Sequence, residues 1–248
     1  MPDISLFFWA MAVIASVLIG LSKGGLPMIG VLGVPVLAMA TSPVRAAGLL
    51  LPIYVVTDMF GLWAYRREYD SRNLKILIPA ATFGVAIGWA TASIVSDRFV
   101  TMLIGIIGLA FTIEYYFRGR HRLEPKPADV PRGIFWGTVS GFTSFVSHAG
   151  APPYQMYAIP QRMEKMVFAG TSTILFAVVN AVKLVPYWAL GQLSTDNLKI
   201  AALLVPAGVA ATFAGVKLTR IIPQVLFYRA VLIALFLISL KLVYDAVA

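Results

Sequence analysis

The sequence predicts an all-α polytopic membrane protein built from two inverted repeats. Each repeat is expected to hold a broken or re-entrant helix pair plus further transmembrane helices. Three observations carry that prediction: an apolar composition, a series of charge-free stretches of spanning length, and two Gly/Pro breaks at matching places in the two halves. Of 248 residues, 59% are hydrophobic and 12% charged, with a mean hydropathy of +0.83. A soluble domain is about 45–50% apolar and about 25% charged, and even a 300-residue globule buries only about 75% of the surface its chain exposes. The excess therefore needs a second apolar solvent, the bilayer. With no cysteine, disulfides, thiolate metal sites and Cys nucleophiles are excluded. Two histidines and eleven acidic residues argue against a carboxylate-rich metal cage. A net charge of +9 would point to nucleic acid in a soluble protein, whereas in a membrane protein it reflects basic loops held on the cytoplasmic side. No metal, cofactor or nucleic-acid partner is expected.

The spans come in order along the chain, since a helix needs about 20 apolar residues to cross about 30 Å of hydrocarbon. Residues 4–22 and 24–44 carry no charge, and 49–65 carries only Asp58. Residues 76–96 are clean, and 99–117 contains only Glu114. A polar, basic stretch, 118–132, separates these from 133–161, whose single ionisable side chain is His148. Residues 166–190 hold Lys183, 200–216 are clean, and 223–240 hold only Arg229. The N-terminus lacks a basic n-region and runs straight into further apolar sequence, unlike a secretory signal. Ser42-Pro43 reads as an N-cap with a first-turn proline, and Ser96 and Asp196 stand where caps are expected.

Two apolar stretches are interrupted, one by Ser22-Lys23-Gly24-Gly25-Leu26-Pro27 and the other by Ser147-His148-Ala149-Gly150-Ala151-Pro152-Pro153. Glycine pairs and prolines favour turns over helix. Irregular backbone at membrane depth survives only where protein or a watery cavity satisfies it. The halves also align. Gly24-Gly25-Leu26-Pro27 matches Ala149-Gly150-Ala151-Pro152 at an offset of 125, and Gly48, Asp58 and Tyr65 match Gly170, Asn180 and Tyr187 at 122. Asn73-Leu74-Lys75-Ile76 matches Asn197-Leu198-Lys199-Ile200 at 124, and Pro79 and Gly88 match Pro206 and Gly215 at 127. The expected organisation is a first transmembrane repeat at 1–117, a cytoplasmic linker at 118–132 and a second repeat at 133–248.

Basic residues set the orientation. With an odd number of crossings per half, fourteen Lys and Arg residues fall inside, among them Arg66, Arg72, Lys75, Arg132, Lys165 and Arg220. Four, Arg45, Arg98, Lys199 and Lys241, fall outside. Counting each interrupted stretch as one crossing gives only eleven to seven. The inverted arrangement is therefore expected, with both termini outside and the chain multi-pass in the cell inner (plasma) membrane.

Inverted repeats with matching broken helices mark secondary transporters. Prolines directly after both breaks predict that helix N-termini face the ligand, and an N-terminus attracts anions. Glycines at 24, 25 and 150 would let backbone approach that ligand. The competing reading is a pair of kinks that serve helix packing.

The segments Leu21-Ser-Lys-Gly-Gly-Leu-Pro, Gly141-Phe-Thr-Ser through His148-Ala-Gly-Ala-Pro-Pro, Phe168-Ala-Gly-Thr-Ser and Asn180-Ala-Val-Lys resemble the sulfite exporter TauE/SafE family, also called the toluenesulfonate uptake permeases. The resemblance runs in order over nearly the whole chain. It implies an integral membrane protein that moves small sulfur-containing or organic anions, of the sulfite, sulfoacetate or sulfonate class. Ala149-Gly150-Ala151 departs from it, since many relatives carry more glycine there.

The candidate substrate-binding residues are Lys23, Gly24, Gly25, Pro27, His148, Gly150, Pro152, Thr171, Ser172 and Asn180. The candidate coupling residues are Asp58, His148 and Lys183. An ionisable group inside the membrane is costly and is by default a functional candidate, and His148 has an unperturbed pKa near 6.5. The bland alternatives are a structural hydrogen bond for His148, a snorkelling stem for Lys23 and an internal salt bridge for Asp58. The expected partners are a small anionic substrate and the lipid bilayer, with protons as candidate coupling ion; the sequence carries no signal for an oligomeric state. Two other functions compete with a transporter. One is an anion channel of the same fold. The other is an intramembrane serine hydrolase using Ser140, Ser144 or Ser147 beside His148. No catalytic residue is assigned, and no P-loop is present.

Overall fold

The computed structural model describes residues 5–92, 96–117 and 125–247. Most of the linker's basic run (118–124) lies outside the described residues. Among the described residues ten α-helices succeed one another: α1 (Leu6–Lys23), α2 (Gly33–Ala38), α3 (Pro43–Tyr65), α4 (Ser71–Ala90), α5 (Asp97–Phe117), α6 (Val130–Ser147), α7 (Ala151–Ala158), α8 (Lys165–Ala189), α9 (Thr195–Ile221) and α10 (Gln224–Val247). Turns of 3₁₀ helix, Ile29–Leu32 and Ile159–Gln161, precede α2 and follow α7. No strand occurs among the described residues. Six helices, α1, α3, α4, α8, α9 and α10, are long and apolar enough to cross a bilayer, so the chain is an all-α polytopic membrane protein.

The starts of the helices are set by short polar side chains that accept the unpaired first-turn N–H groups. Ser42 accepts from the Arg45 amide with Pro43 in the first turn, Asp70 accepts from Asn73, and Asp129 accepts from Arg132. At α9 the cap is Ser194, which accepts from the Asn197 amide, and not Asp196. Asp196 stands in the first turn, where its charge complements the helix dipole. Ser96 directly precedes α5. Pro52, Pro79, Pro186 and Pro206 lie inside long helices, as neighbouring helices permit in membranes.

Both interrupted stretches consist of a long helix followed by a short one. The eight residues of α7 reach only about 12 Å at 1.5 Å each, far less than the bilayer core. After the first break a continuous helix from Met28 to Ala40 is expected, but a turn, the 3₁₀ segment and the six-residue α2 stand there instead. Gly30 and Gly33 press this segment against α1: a Cβ on Gly30 would meet Ser22 Oγ at 2.5 Å, and one on Gly33 would meet Ile19 at 3.2 Å.

Helix α1 packs along α9, and α4 along α6; α3 packs on both α8 and α9, α4 on α8, and α5 on α10. Small residues let the backbones touch. A Cβ on Gly20 would lie 2.1 Å from the Gly208 carbonyl, and one on Gly141 would lie 1.9 Å from that of Ala81. The connections gather at two ends of the bundle. At one end Lys165 donates to the Arg220 and Ile222 carbonyls, Glu68 approaches Arg220, and Lys126 N–H donates to Pro160. At the other end Pro43, Ala92, Arg98, Leu190, Gln192 and Asp245 surround one vestibule. Large apolar side chains such as Trp63, Phe83, Leu203 and Trp188 are exposed on the outside of the bundle, where a lipid solvent suits them.

Candidate functional site

Helices α3 and α8 form the centre of the bundle, and the ends of α1 and α6 come to rest against them. A helix C-terminus leaves four carbonyls unpaired, and these two ends are buried inside the bundle. Side chains of α3, α8 and α9 serve as their donors. Tyr65 hydroxyl and Thr219 Oγ1 both donate to the Gly24 carbonyl, at 2.7 and 3.1 Å, and Thr173 Oγ1 donates to that of Lys23 at 3.4 Å. At α6, Lys183 Nζ donates to the Ser144 carbonyl and Tyr187 hydroxyl to the Phe145 carbonyl, both at 3.1 Å; Ser140 Oγ, on α6 itself, ties down the loop beyond it by donating to the Gly150 carbonyl at 2.8 Å. Tyr65 and Tyr187, matched in the sequence alignment of the halves, do the same work at the two breaks.

The buried charges lie between these ends. Lys23 Nζ forms an ion pair with Asp58 Oδ1 at 2.7 Å, and the other carboxylate oxygen accepts from Asn180 Nδ2 at 2.7 Å. The Lys23 ammonium also faces the rings of Tyr54, at 5.1 Å from the centroid, and Phe176, at 5.9 Å, a cation–π arrangement. His148 stacks on Tyr54 with ring centroids 5.1 Å apart. Its Nδ1 lies 3.3 Å from Lys183 Nζ and its Nε2 3.0 Å from the Tyr187 hydroxyl. An ammonium has donors only, so Nδ1 accepts, Nε2 carries the hydrogen and donates to Tyr187, and Tyr187 in turn donates to Phe145. This chain of bonds assigns the neutral Nε2–H tautomer.

His148 adopts φ 54°, a left-handed conformation uncommon outside glycine. It terminates α6 there, with its N–H donating to the Ser144 carbonyl.

A cavity of about 30 Å³ lies between the breaks, lined by Lys23, Tyr54, His148, Gly150, Ser172 and Asn180 among others. It has room for a water or two, too little for a four-atom oxyanion unless the walls move. Val31 also borders the vestibule, a much larger cavity of about 610 Å³ that opens at the end carrying Arg98, Lys241 and Asp245. Phe145 and Tyr187 line the vestibule too, and Tyr187 bonds to His148, which lines the central cavity.

The structure thus gathers Lys23, Pro27, His148, Gly150, Ser172 and Asn180 around one space, with Asp58 directly behind Lys23 and Lys183 directly behind His148. The remaining candidates lie elsewhere. Gly24 is pressed on α9, where a Cβ would meet Gly215 Cα at 2.5 Å. Gly25 has φ 108°, and a Cβ would meet the Tyr65 hydroxyl at 2.3 Å. Both glycines therefore serve turn and packing. Thr171 accepts from the Asp70 amide and donates to Val167, and Pro152 is packed in the first turn of α7. The expectation of two helix N-termini also changes. The first break leads only to a 3₁₀ turn, and at the second Pro152 and Pro153 carry no N–H, so the donors there reduce to the amides of Gly150 and Ala151. Tyr54 and Phe176 were missed, although they stand four residues before Asp58 and Asn180 at the same offset of 122.

Among the described residues no serine bonds to His148, whose ring nitrogens are taken by Lys183 and Tyr187. Ser144 accepts from Lys183, while Ser140 and Ser147 donate to backbone carbonyls. Among the described residues no group of acidic residues and histidines fits a metal ion.

A helical bundle that buries Lys23, Asp58, His148 and Lys183 around a small central cavity has the interior of a polytopic membrane protein of the transport class. The family model for the sulfite exporter TauE/SafE family matches residues 10–242, and the chain belongs to that family. Comparison with curated proteins and with solved structures gave no match.

Proposed function

We propose that the chain is a secondary transporter of small sulfur-containing or organic anions, of the sulfite, sulfoacetate or sulfonate class, working by alternating access in the cell inner membrane. The observation that carries this reading is the meeting of both helix breaks at one cavity that contains a buried ammonium, Lys23. Lys23 supplies the charge for the anion, while Ser172, Asn180 and the Gly150 and Ala151 amides supply directional donors. Family membership supports an anion of sulfur chemistry. The cavity is too small to conduct as it stands, which favours a carrier over an anion channel, and the engagement of both His148 nitrogens by other groups disfavours a hydrolase.

The two halves, 1–117 and 133–248, are read as repeats inverted in the bilayer and joined through 118–132. Support comes from the α3–α4 connection and its counterpart between α8 and α9, which lie at opposite ends of the bundle. Rocking of one repeat against the other would open the central cavity to each side in turn.

Counterflow tests the proposal. Purified chain in liposomes preloaded with unlabelled sulfite should accumulate labelled sulfite transiently, with saturation. Uptake that never saturates and shows no counterflow would indicate a channel.

A further inference from the structure

Resting on the transporter reading above, we propose that Asp58 is the binding site of a co-transported proton. Its carboxylate holds the place of the anion on Lys23, and substrate takes that place when Asp58 is protonated, making the chain a proton–anion symporter. Three observations support this. Lys23 lines the central cavity, yet its ammonium is already paired with Asp58 at 2.7 Å. An incoming anion would meet that ammonium with a second negative charge directly behind it. Neutralising the carboxyl removes the repulsion and frees Lys23 for the substrate.

The second observation is Asn180, which donates to the other carboxylate oxygen. A side-chain amide has both donor and acceptor. It can give an N–H to the carboxylate and, turned over, accept the O–H of the protonated acid, so Asp58 keeps a partner in both states. The third is that the other ionisable groups facing Asp58 are committed. From α8, Lys183 caps α6 through Ser144 and meets His148. His148 has both nitrogens engaged, and a proton on Nδ1 would point at the Lys183 ammonium. On α3 itself, Tyr54 donates to the Gly30 carbonyl. Helix α9, which also packs on α3, buries no ionisable side chain. The proton comes from water in the vestibule, rests on a carboxylate oxygen of Asp58 during the crossing, and leaves to water on the far side; no bond to the anion is made or broken.

The test is calorimetric binding of sulfate, methanesulfonate and sulfite to the purified full chain, from about pH 5.5 to about pH 8. The first two stay fully ionised throughout, so any pH dependence they show belongs to the protein. Wild type should bind more weakly as pH rises, by up to about tenfold per unit for one linked proton. Asp58→Asn should bind with no slope, at about pH 8 at least as tightly as wild type does near pH 5.5. Asp58→Glu should restore the slope. Titrations in two buffers of different ionisation enthalpy should show uptake of about one proton per anion by wild type, a readout that needs no variant to fold. Zero uptake, or a monodisperse Asp58→Asn protein with the wild-type slope, overturns the proposal. If none of the three anions binds wild type at any pH, the transporter reading itself fails and this one with it.

Discussion

Lys23 and Asp58 are each below a twentieth exposed, and a buried ion whose partner is removed is strongly destabilising, by about 3–5 kcal/mol. Lys23→Gln should therefore lower stability by that order, because it strands the carboxylate, and should also abolish anion binding. The double variant Lys23→Gln, Asp58→Asn should recover most of the stability and none of the binding. Thermal unfolding in detergent beside calorimetry separates the two effects, and a double variant no more stable than Lys23→Gln would show that the pair does not act as a unit. Gly25 makes a different point. Any side chain there meets strain from φ 108° and a clash with Tyr65, so Gly25→Ala should cost about 1–3 kcal/mol or more without touching the cavity. From the sequence alone Gly25 and Gly150 look equivalent. Only the folded chain distinguishes a glycine that borders the cavity from one that faces a tyrosine hydroxyl.

At the level of helices, the breaks were legible because Gly-Gly disfavours helix continuation and Pro-Pro cannot follow on from a preceding turn of helix but can begin a new one. The length of helix beyond each break was less legible. A proline licenses a helix start but does not say how long the helix continues, and contact of Gly30 and Gly33 with α1 decided that at the first break. The capping of α1 and α6 was legible only in outline: Tyr65 and Tyr187 stood out as a matched pair, but their carbonyl partners are set by how α3 and α8 rotate. Tyr187 both caps α6 and holds His148 at the wall between vestibule and cavity. Tyr187→Phe should leave Phe145 carbonyl and His148 N–H without that hydroxyl and cost about 1–3 kcal/mol. It should also loosen the wall. Because the chain has no cysteine, a single Ser172→Cys can be introduced as the sole thiol. Its labelling by a small hydrophilic reagent should be slow in the parent and faster with Tyr187→Phe. Equal rates would mean that Tyr187 does not restrict entry.

At the level of the whole molecule, the class of fold came from composition, since a bilayer is the only solvent that accommodates so apolar a chain. The expected sidedness rests on loop charge, and the end carrying Arg66, Arg72, Lys165 and Arg220 is the more basic. Single cysteines at Ser71→Cys and Val247→Cys test it with an impermeant reagent: position 247 should label in intact cells and position 71 only after permeabilisation. The reverse pattern would invert the orientation. The two halves are not equal in one respect, for where α3 carries Asp58, α8 carries Asn180, and the two touch. With Asp58 as the proposed proton site and an amide at the matching place on α8, one proton would move per cycle, and transport would carry an electrical signature. A monovalent sulfonate would cross with no net current and ignore the membrane voltage. A divalent anion would carry one uncompensated negative charge, worth about 2.3 kcal/mol per 100 mV, so an inside-negative cell would drive it outward. The same protein would thus act as a voltage-blind carrier for one substrate and a voltage-driven exporter for another.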